Sequence, residues 1–164
     1  MSSGGVLVLS ALAAGLPVRK AALYEPPYVS DGLPPADYAD RLRGLVAADD
    51  AAGAARYFLK HVMGVPAAFL AVMRVTPGWK VAVRLAPSLP YDADVMGDFR
   101  IPAEFAAITT PTLVVGGGRS APRLRAALDS VTSTVRAARP LVLEGQNHDP
   151  KPAVLAAALR DFFD

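Results

Sequence analysis

The sequence contains no cysteine. Disulfides and thiolate metal sites are therefore excluded, and the composition fits a cytoplasmic protein. A surplus of either charge is also missing. Seventeen Lys and Arg stand against fifteen Asp and Glu, a formal net charge of +2, and the arginines are scattered, so no nucleic-acid surface is expected. No uninterrupted apolar run approaches the ~20 residues needed to cross a bilayer, so no membrane partner is expected. The first residues carry no basic segment ahead of Val6-Leu7-Val8-Leu9, so no signal peptide is expected. Internal repeats and low-complexity linkers are absent as well. There are two histidines, His61 and His148. No metal and no cofactor is expected.

What is present suits one domain of ordinary size. The 164 residues are 52% hydrophobic, much of that alanine, with a mean hydropathy of +0.30; such a chain can bury a substantial core. The organising stretch is Thr110-Pro111-Thr112-Leu113-Val114-Val115-Gly116-Gly117-Gly118. Its apolar part is too short for a helix and has no polar face, so it reads as a strand covered on both sides. The glycines are expected to end the strand in a turn where backbone can approach a ligand or another segment. A helical pattern follows at Leu124, Leu128 and Val131, then the short apolar run Leu141-Val142-Leu143, then a final helix. That order predicts a right-handed βαβ unit of a parallel sheet. Ligands gather at the carboxyl ends of such strands, which places Gly116–Ser120 and Glu144–Asp149 on one edge.

Ahead of this unit, residues 5–15 predict an alanine-rich helix stopped by Gly15 and Pro17; being apolar on nearly every side, it is expected to be buried. Lys20–Tyr24 predicts a short strand closed by Glu25-Pro26-Pro27. From about residue 30 to 90 the pattern is helical. Pro35 opens a helix with Tyr38, Leu42, Leu45 and Val46, and Asp49 or Asp50 caps one with Ala54, Phe58 and Val62. Pro66 opens another with Phe69, Leu70 and Met73, and Pro77 one with Trp79 and Val83. Short helices inserted between parallel strands predict a lid, whose aromatics and Met63, Met73 and Met96 suit an apolar group as well as a plain helix core. Ser88–Phe99, rich in Asp and Pro, reads as a loop leading back to Ile101–Ile108.

Two places can carry chemistry. His148 lies in Glu144-Gly145-Gln146-Asn147-His148-Asp149-Pro150, between the last strand and the final helix, where a general base could stand. It reads equally as a surface histidine or a helix cap. Ser2-Ser3-Gly4-Gly5 directly precedes a helix whose N-terminal N–H groups can meet an anion; its plainer reading is a capping start. His61 falls in a lid helix and reads as structural or solvated.

Taken together, these features resemble the α/β-hydrolase fold family, in particular its serine esterase, lipase and haloperoxidase-like members. There the nucleophile stands in Gly-x-Ser-x-Gly on a tight elbow before a helix. Ser2 matches the nucleophile and Ser3-Gly4-Gly5 the rest of the motif, with Met1 where the family often has histidine. The element order then agrees through strand Lys20–Tyr24, a helical lid, Asp98-Phe99-Arg100, the Pro111–Gly118 strand and His148 before the last helix. The resemblance covers essentially the whole chain and implies a partial α/β-hydrolase fold: a short parallel sheet, flanking helices and a lid over about 30–90. It implies Ser2 as nucleophile, His148 as base, the backbone of Ser3 in the oxyanion hole, and a small apolar ester-like substrate.

The sequence departs from the family in two respects. It opens inside the elbow, which leaves open whether the chain is an incomplete hydrolase, inactive alone, and offers an unfilled sheet edge for self-association. And Ser120 stands where the triad acid is usual. Some members of the family take the acid from the end of the preceding strand instead, and the resemblance then implies Glu25 in Tyr24-Glu25-Pro26-Pro27; Asp149, adjacent to His148 in sequence, is poorly placed to reach its Nδ1. Two other readings compete: a non-catalytic remnant or interaction module of the same fold, and a nucleotide-binding βαβ module suggested by Gly116-x-Gly118-x-x-Ala121 with Glu144 beyond it.

Overall fold

The computed structural model describes residues 1–29 and 34–164. The chain forms two compact units, Met1–Gly32 with Phe99–Asp164, and Leu33–Asp98. The first carries the sheet and the second is helical. Residues 30–33, where the lid was expected to begin, lie outside the described residues.

In the sheet unit, helix α1 (Ser3–Ala13) precedes strand β1 (Ala21–Tyr24), and strand β2 (Thr112–Gly117), helix α7 (Pro122–Thr134), strand β3 (Ala138–Leu143) and helix α8 (Pro152–Phe163) follow the insertion. The strands are parallel in the order β1-β2-β3, with Leu23 beside Val114, Tyr24 beside Val115, and Val115 beside Leu141. Side chains alternate along a strand, and paired neighbours share a face. Tyr24, Leu113 and Val115 therefore meet Phe162 of α8 on one face. On the other, Gly5 of α1 approaches Leu23, and Leu128 of α7 lies against Gly116. All six residues of β2 are buried, as expected of a β-branched strand with helices on both sides. At the sheet margin β3 is half exposed. It tolerates Pro140 because an edge position need not donate on its outer side.

The structure corrects two expectations in this unit. The glycines end β2 later than expected: Gly116 and Gly117 continue the strand and the turn begins at Gly118, because the missing side chains of Gly116 and Gly117 leave room for neighbours. A Cβ on Gly117 would stand 2.6 Å from the carbonyl oxygen of Gln146. Helix α1, expected to be buried all round, is buried along one face only. Val6, Leu9 and Leu12 pack inward, while Leu7 is 56% exposed. One stripe satisfies the contact with β1 and the 3₁₀ turn Ala103–Ala107, and the apolar residues opposite it find no cover among the described residues.

The helical unit contains α2 (Tyr38–Ala47), α3 (Ala51–Tyr57, continued by a π turn over Phe58–Val62), α4 (Ala67–Met73), α5 (Pro77–Leu85) and α6 (Leu89–Met96). Asp50 is the cap of α3, accepting from the Gly53 N–H at 2.7 Å. Tyr38 ties α2 to α6 through the carbonyls of Ala93 and Gly97, beside an Arg43–Asp94 ion pair. Ser88–Phe99, expected as a loop, is mostly helix α6 with a 3₁₀ turn before it. Pro90 sits in its first turn, where a missing N–H costs nothing, and Gly97 ends it with φ 53°. Among the described residues no helix is long and apolar enough to cross a membrane.

Candidate active site

Ser2 holds an unusual backbone. It stands just ahead of α1 with φ 51° and ψ −132°, a left-handed geometry that an L residue adopts at a cost and that clusters at functional positions. Two main-chain bonds hold it there. Its N–H donates to the carbonyl of Tyr24 at 2.9 Å, and its own carbonyl accepts from Gly5 at 2.8 Å. The side chain makes no capping bond to α1, so helix capping does not account for the serine. Ser3 is the first residue of α1. Gly5 lets the helix start lie close to the end of β1, since a Cβ there would come 3.3 Å from Pro26.

Glu25 follows β1 directly and also has positive φ, 46°. Its N–H donates to Val115 at 2.9 Å, extending the sheet register by one residue. The turned backbone sends the carboxylate inward, where its side chain is 0% exposed. A carboxylate removed from water is costly unless both oxygens are occupied. Here Oε1 accepts from the Gly117 N–H at 2.7 Å, and Oε2 lies 2.6 Å from Nδ1 of His148. A carboxylate only accepts, so the proton of this contact belongs to Nδ1, and the neutral ring keeps its lone pair on Nε2. The His148 side chain is 37% exposed, which leaves the ring accessible while one nitrogen is anchored.

The loop carrying His148 is tied at several points. Gly145 has φ 72° and turns the chain out of β3. The Gln146 carbonyl accepts from the Arg119 N–H at 2.8 Å, and its side-chain Oε1 accepts from Lys151 N–H at 2.9 Å. The Tyr24 hydroxyl donates to the Asn147 carbonyl at 2.5 Å. Burial, then the negative charges of Glu25 and Asp149, push the Tyr24 phenol up to about 12, so it remains a donor through the neutral range.

Ser2, Glu25 and His148 thus gather at the carboxyl ends of the strands. Ser2 touches Tyr24, the residue before Glu25, and Glu25 touches His148. Among the described residues no hydrogen bond joins the Ser2 hydroxyl to the ring; such contacts often tighten only around a bound substrate. Ser120 is buried, and its hydroxyl has no hydrogen-bond partner among the described residues. Asp149 is exposed, its N–H accepted by the Asn147 side chain. His61 stacks on Tyr57 with ring centroids 4.7 Å apart. The N–H groups of Gly117, Gly118, Arg119 and Ser120 donate to Glu25, Leu143, Gln146 and Gly117, so they are not offered to a phosphate. Sequence reasoning missed the Gly117 N–H and the Tyr24 hydroxyl. The second had a signal: a tyrosine ending a strand directly before the candidate acid. Among the described residues no cluster of potential metal ligands occurs.

A parallel sheet wrapped by helices on both faces, with a helical insertion before its penultimate strand, defines the class: the chain belongs to the α/β-hydrolase fold family. It is 41% identical to an α/β hydrolase from Sphaerobacter thermophilus DSM 20745, with a TM-score of 0.87 over 100% of this chain and 65% of that one. The fold is shared at lower identity with BpoC from Mycobacterium tuberculosis H37Rv, 19% identical, TM-score 0.61, covering 99% of this chain and 64% of that one. It is shared likewise with an E-2-(acetamidomethylene)succinate hydrolase, 19% identical, TM-score 0.55, with coverage of 99% and 64%. The chain therefore spans just under two thirds of the length of these structures. No protein-family model and no curated protein matches it.

Proposed function

We propose that this chain is a serine hydrolase in which Ser2 is the nucleophile, His148 the general base and Glu25 the orienting acid. What carries this reading is the fully buried Glu25 carboxylate, held by the Gly117 N–H on one oxygen and set on His148 Nδ1 at 2.6 Å by the other. That is the arrangement needed to fix the imidazole tautomer and stabilise the imidazolium. Strained backbone at Ser2, bonded to the residue next to Glu25, supports the nucleophile's place.

In the first step the Ser2 hydroxyl oxygen attacks an ester carbonyl and its proton passes to Nε2 of His148. Carbonyl electrons move onto the oxygen, which the Ser3 N–H at the head of α1 would receive. Collapse expels the alcohol, which takes the proton from Nε2 and leaves an acyl-serine. Water, deprotonated by the same nitrogen, then releases the acid and restores Ser2. The substrate class is a small ester or related carbonyl compound with an apolar acyl group. No cofactor takes part.

A fluorophosphonate probe with a reporter group tests this on the purified chain, beside turnover of a chromogenic short-chain ester. Labelling should fall on Ser2 and disappear in Ser2→Ala and His148→Ala. An unlabelled wild type, or equal labelling of all three, overturns the proposal.

A further inference from the structure

Tyr24 and Glu25 are consecutive at the end of β1, and Asn147 and His148 are consecutive in the loop after β3. The first pair grips the second in step: the Tyr24 hydroxyl holds the Asn147 carbonyl at 2.5 Å, and the Glu25 carboxylate holds His148 Nδ1 at 2.6 Å. We infer that Tyr24 is a positioning residue for His148, its hydroxyl pinning the main chain of Asn147 so that the imidazole is delivered onto Glu25. This rests on the reading of His148 as the base.

The physical case has three parts. First, the phenol ring is packed among Leu113, Val115 and Phe162 and 4% exposed, and a planar ring on two torsions gives its hydroxyl little freedom of placement. Second, Asn147 is exposed, and its own side chain serves a local turn to the Asp149 N–H. The upstream ties are at Gln146 and the next downstream is Lys151. Without Tyr24 the short segment bearing His148 would keep its turn and lose a bond to the sheet. Third, the contact it protects is short, and displacement of a catalytic group by about 1 Å can cost on the order of a hundredfold in rate. A tyrosine serving only as core filler would not need its hydroxyl aimed at this carbonyl.

Tyr24→Phe keeps the ring and removes the hydroxyl. The His148 Nδ1 proton, identified by its loss in His148→Ala, is followed by NMR on the free chain, and kcat and KM are measured in parallel. In Tyr24→Phe the resonance should broaden or move upfield through faster exchange with water. Turnover should fall about ten- to a hundredfold in kcat with KM little changed. A resonance unchanged in position and width overturns the inference. Full turnover in Ser2→Ala would remove the hydrolase reading instead, and the resonance would still decide the role of Tyr24. If Tyr24→Phe does not fold, 3,5-difluorotyrosine at position 24 replaces it. Its more acidic hydroxyl should make the resonance vanish at a lower pH than in wild type, and an identical pH dependence counts against the clamp.

Discussion

The carboxylate of Glu25 and the imidazole of His148 meet at 2.6 Å although 123 residues of chain separate them. Neither is placed by its own segment alone. Glu25 is aimed by positive φ after β1, and its second oxygen is held by the Gly117 backbone at the end of β2. Three elements therefore converge on one carboxylate, and this convergence can be tested from several sides.

Glu25→Gln preserves shape and removes the charge. An amide can also present its N–H₂ to Nδ1, which would favour the wrong tautomer. In labelled or ester-hydrolysing chain, kcat/KM should fall about 10³–10⁴-fold with the circular dichroism spectrum unchanged. A loss below about threefold would place the acid elsewhere.

Gly116 and Gly117 should respond differently to alanine. At Gly117 the new methyl group would meet backbone, the Gln146 carbonyl oxygen at 2.6 Å, whereas at Gly116 it would meet the end of the Leu128 side chain at 3.0 Å. Backbone cannot rotate away as a leucine methyl can. Urea unfolding should show Gly117→Ala destabilised by about 1–3 kcal/mol and Gly116→Ala by less. Equal costs would mean that the 146–148 loop gives way easily.

Ser120→Ala should be harmless or stabilising. Its hydroxyl is buried without a partner among the described residues, and removing an unsatisfied buried polar atom returns up to about 1 kcal/mol. Probe labelling of Ser2 should persist. Loss of labelling would assign Ser120 a role in the site.

Alkaline titration should weaken the fold. Burial, then nearby carboxylates, raise the phenols of Tyr24 and Tyr38 from 10.0 to about 12, and burial with Glu104 raises that of Tyr28. A phenol whose folded pKa lies above its unfolded one contributes stability fully present below pH 10 and lost as pH rises through about 12. Urea midpoints should thus hold up to about pH 10 and drop toward pH 12, with phenolate absorbance appearing in the same range. A midpoint that stays level across that window would contradict the burial of these rings.

Much of the architecture was legible because it follows local rules. Thr112–Val115 is β-branched and flanked by proline and glycine, which leaves little but a buried strand. The helical insertion announces itself through proline at helix starts. Failures came where local rules compete. Ser88–Phe99 carries Asp and Pro, which mark loops, yet Pro90 at a first turn starts helix α6 instead. The triple glycine suggested a turn, yet only Gly118 enters one, while Gly116 and Gly117 serve close packing within β2. Helix α1 has apolar residues all round, and only the stripe that meets β1 is used.

Local chemistry, then, was enough to settle the strand–helix order, the parallel sheet and the two segments bearing Ser2 and His148, since hydrophobic periodicity and chain stops act within a few residues. It could not choose among Glu25, Ser120 and Asp149 as the partner of His148. That choice depends on where backbones distant in sequence arrive and which carboxylate finds a second donor once buried. Parallel pairing of β1 with β2 supplies the Gly117 N–H to Glu25, and the Tyr24 hydroxyl and Gln146 hold the loop that brings His148 to it; no stretch of the chain read alone contains that information.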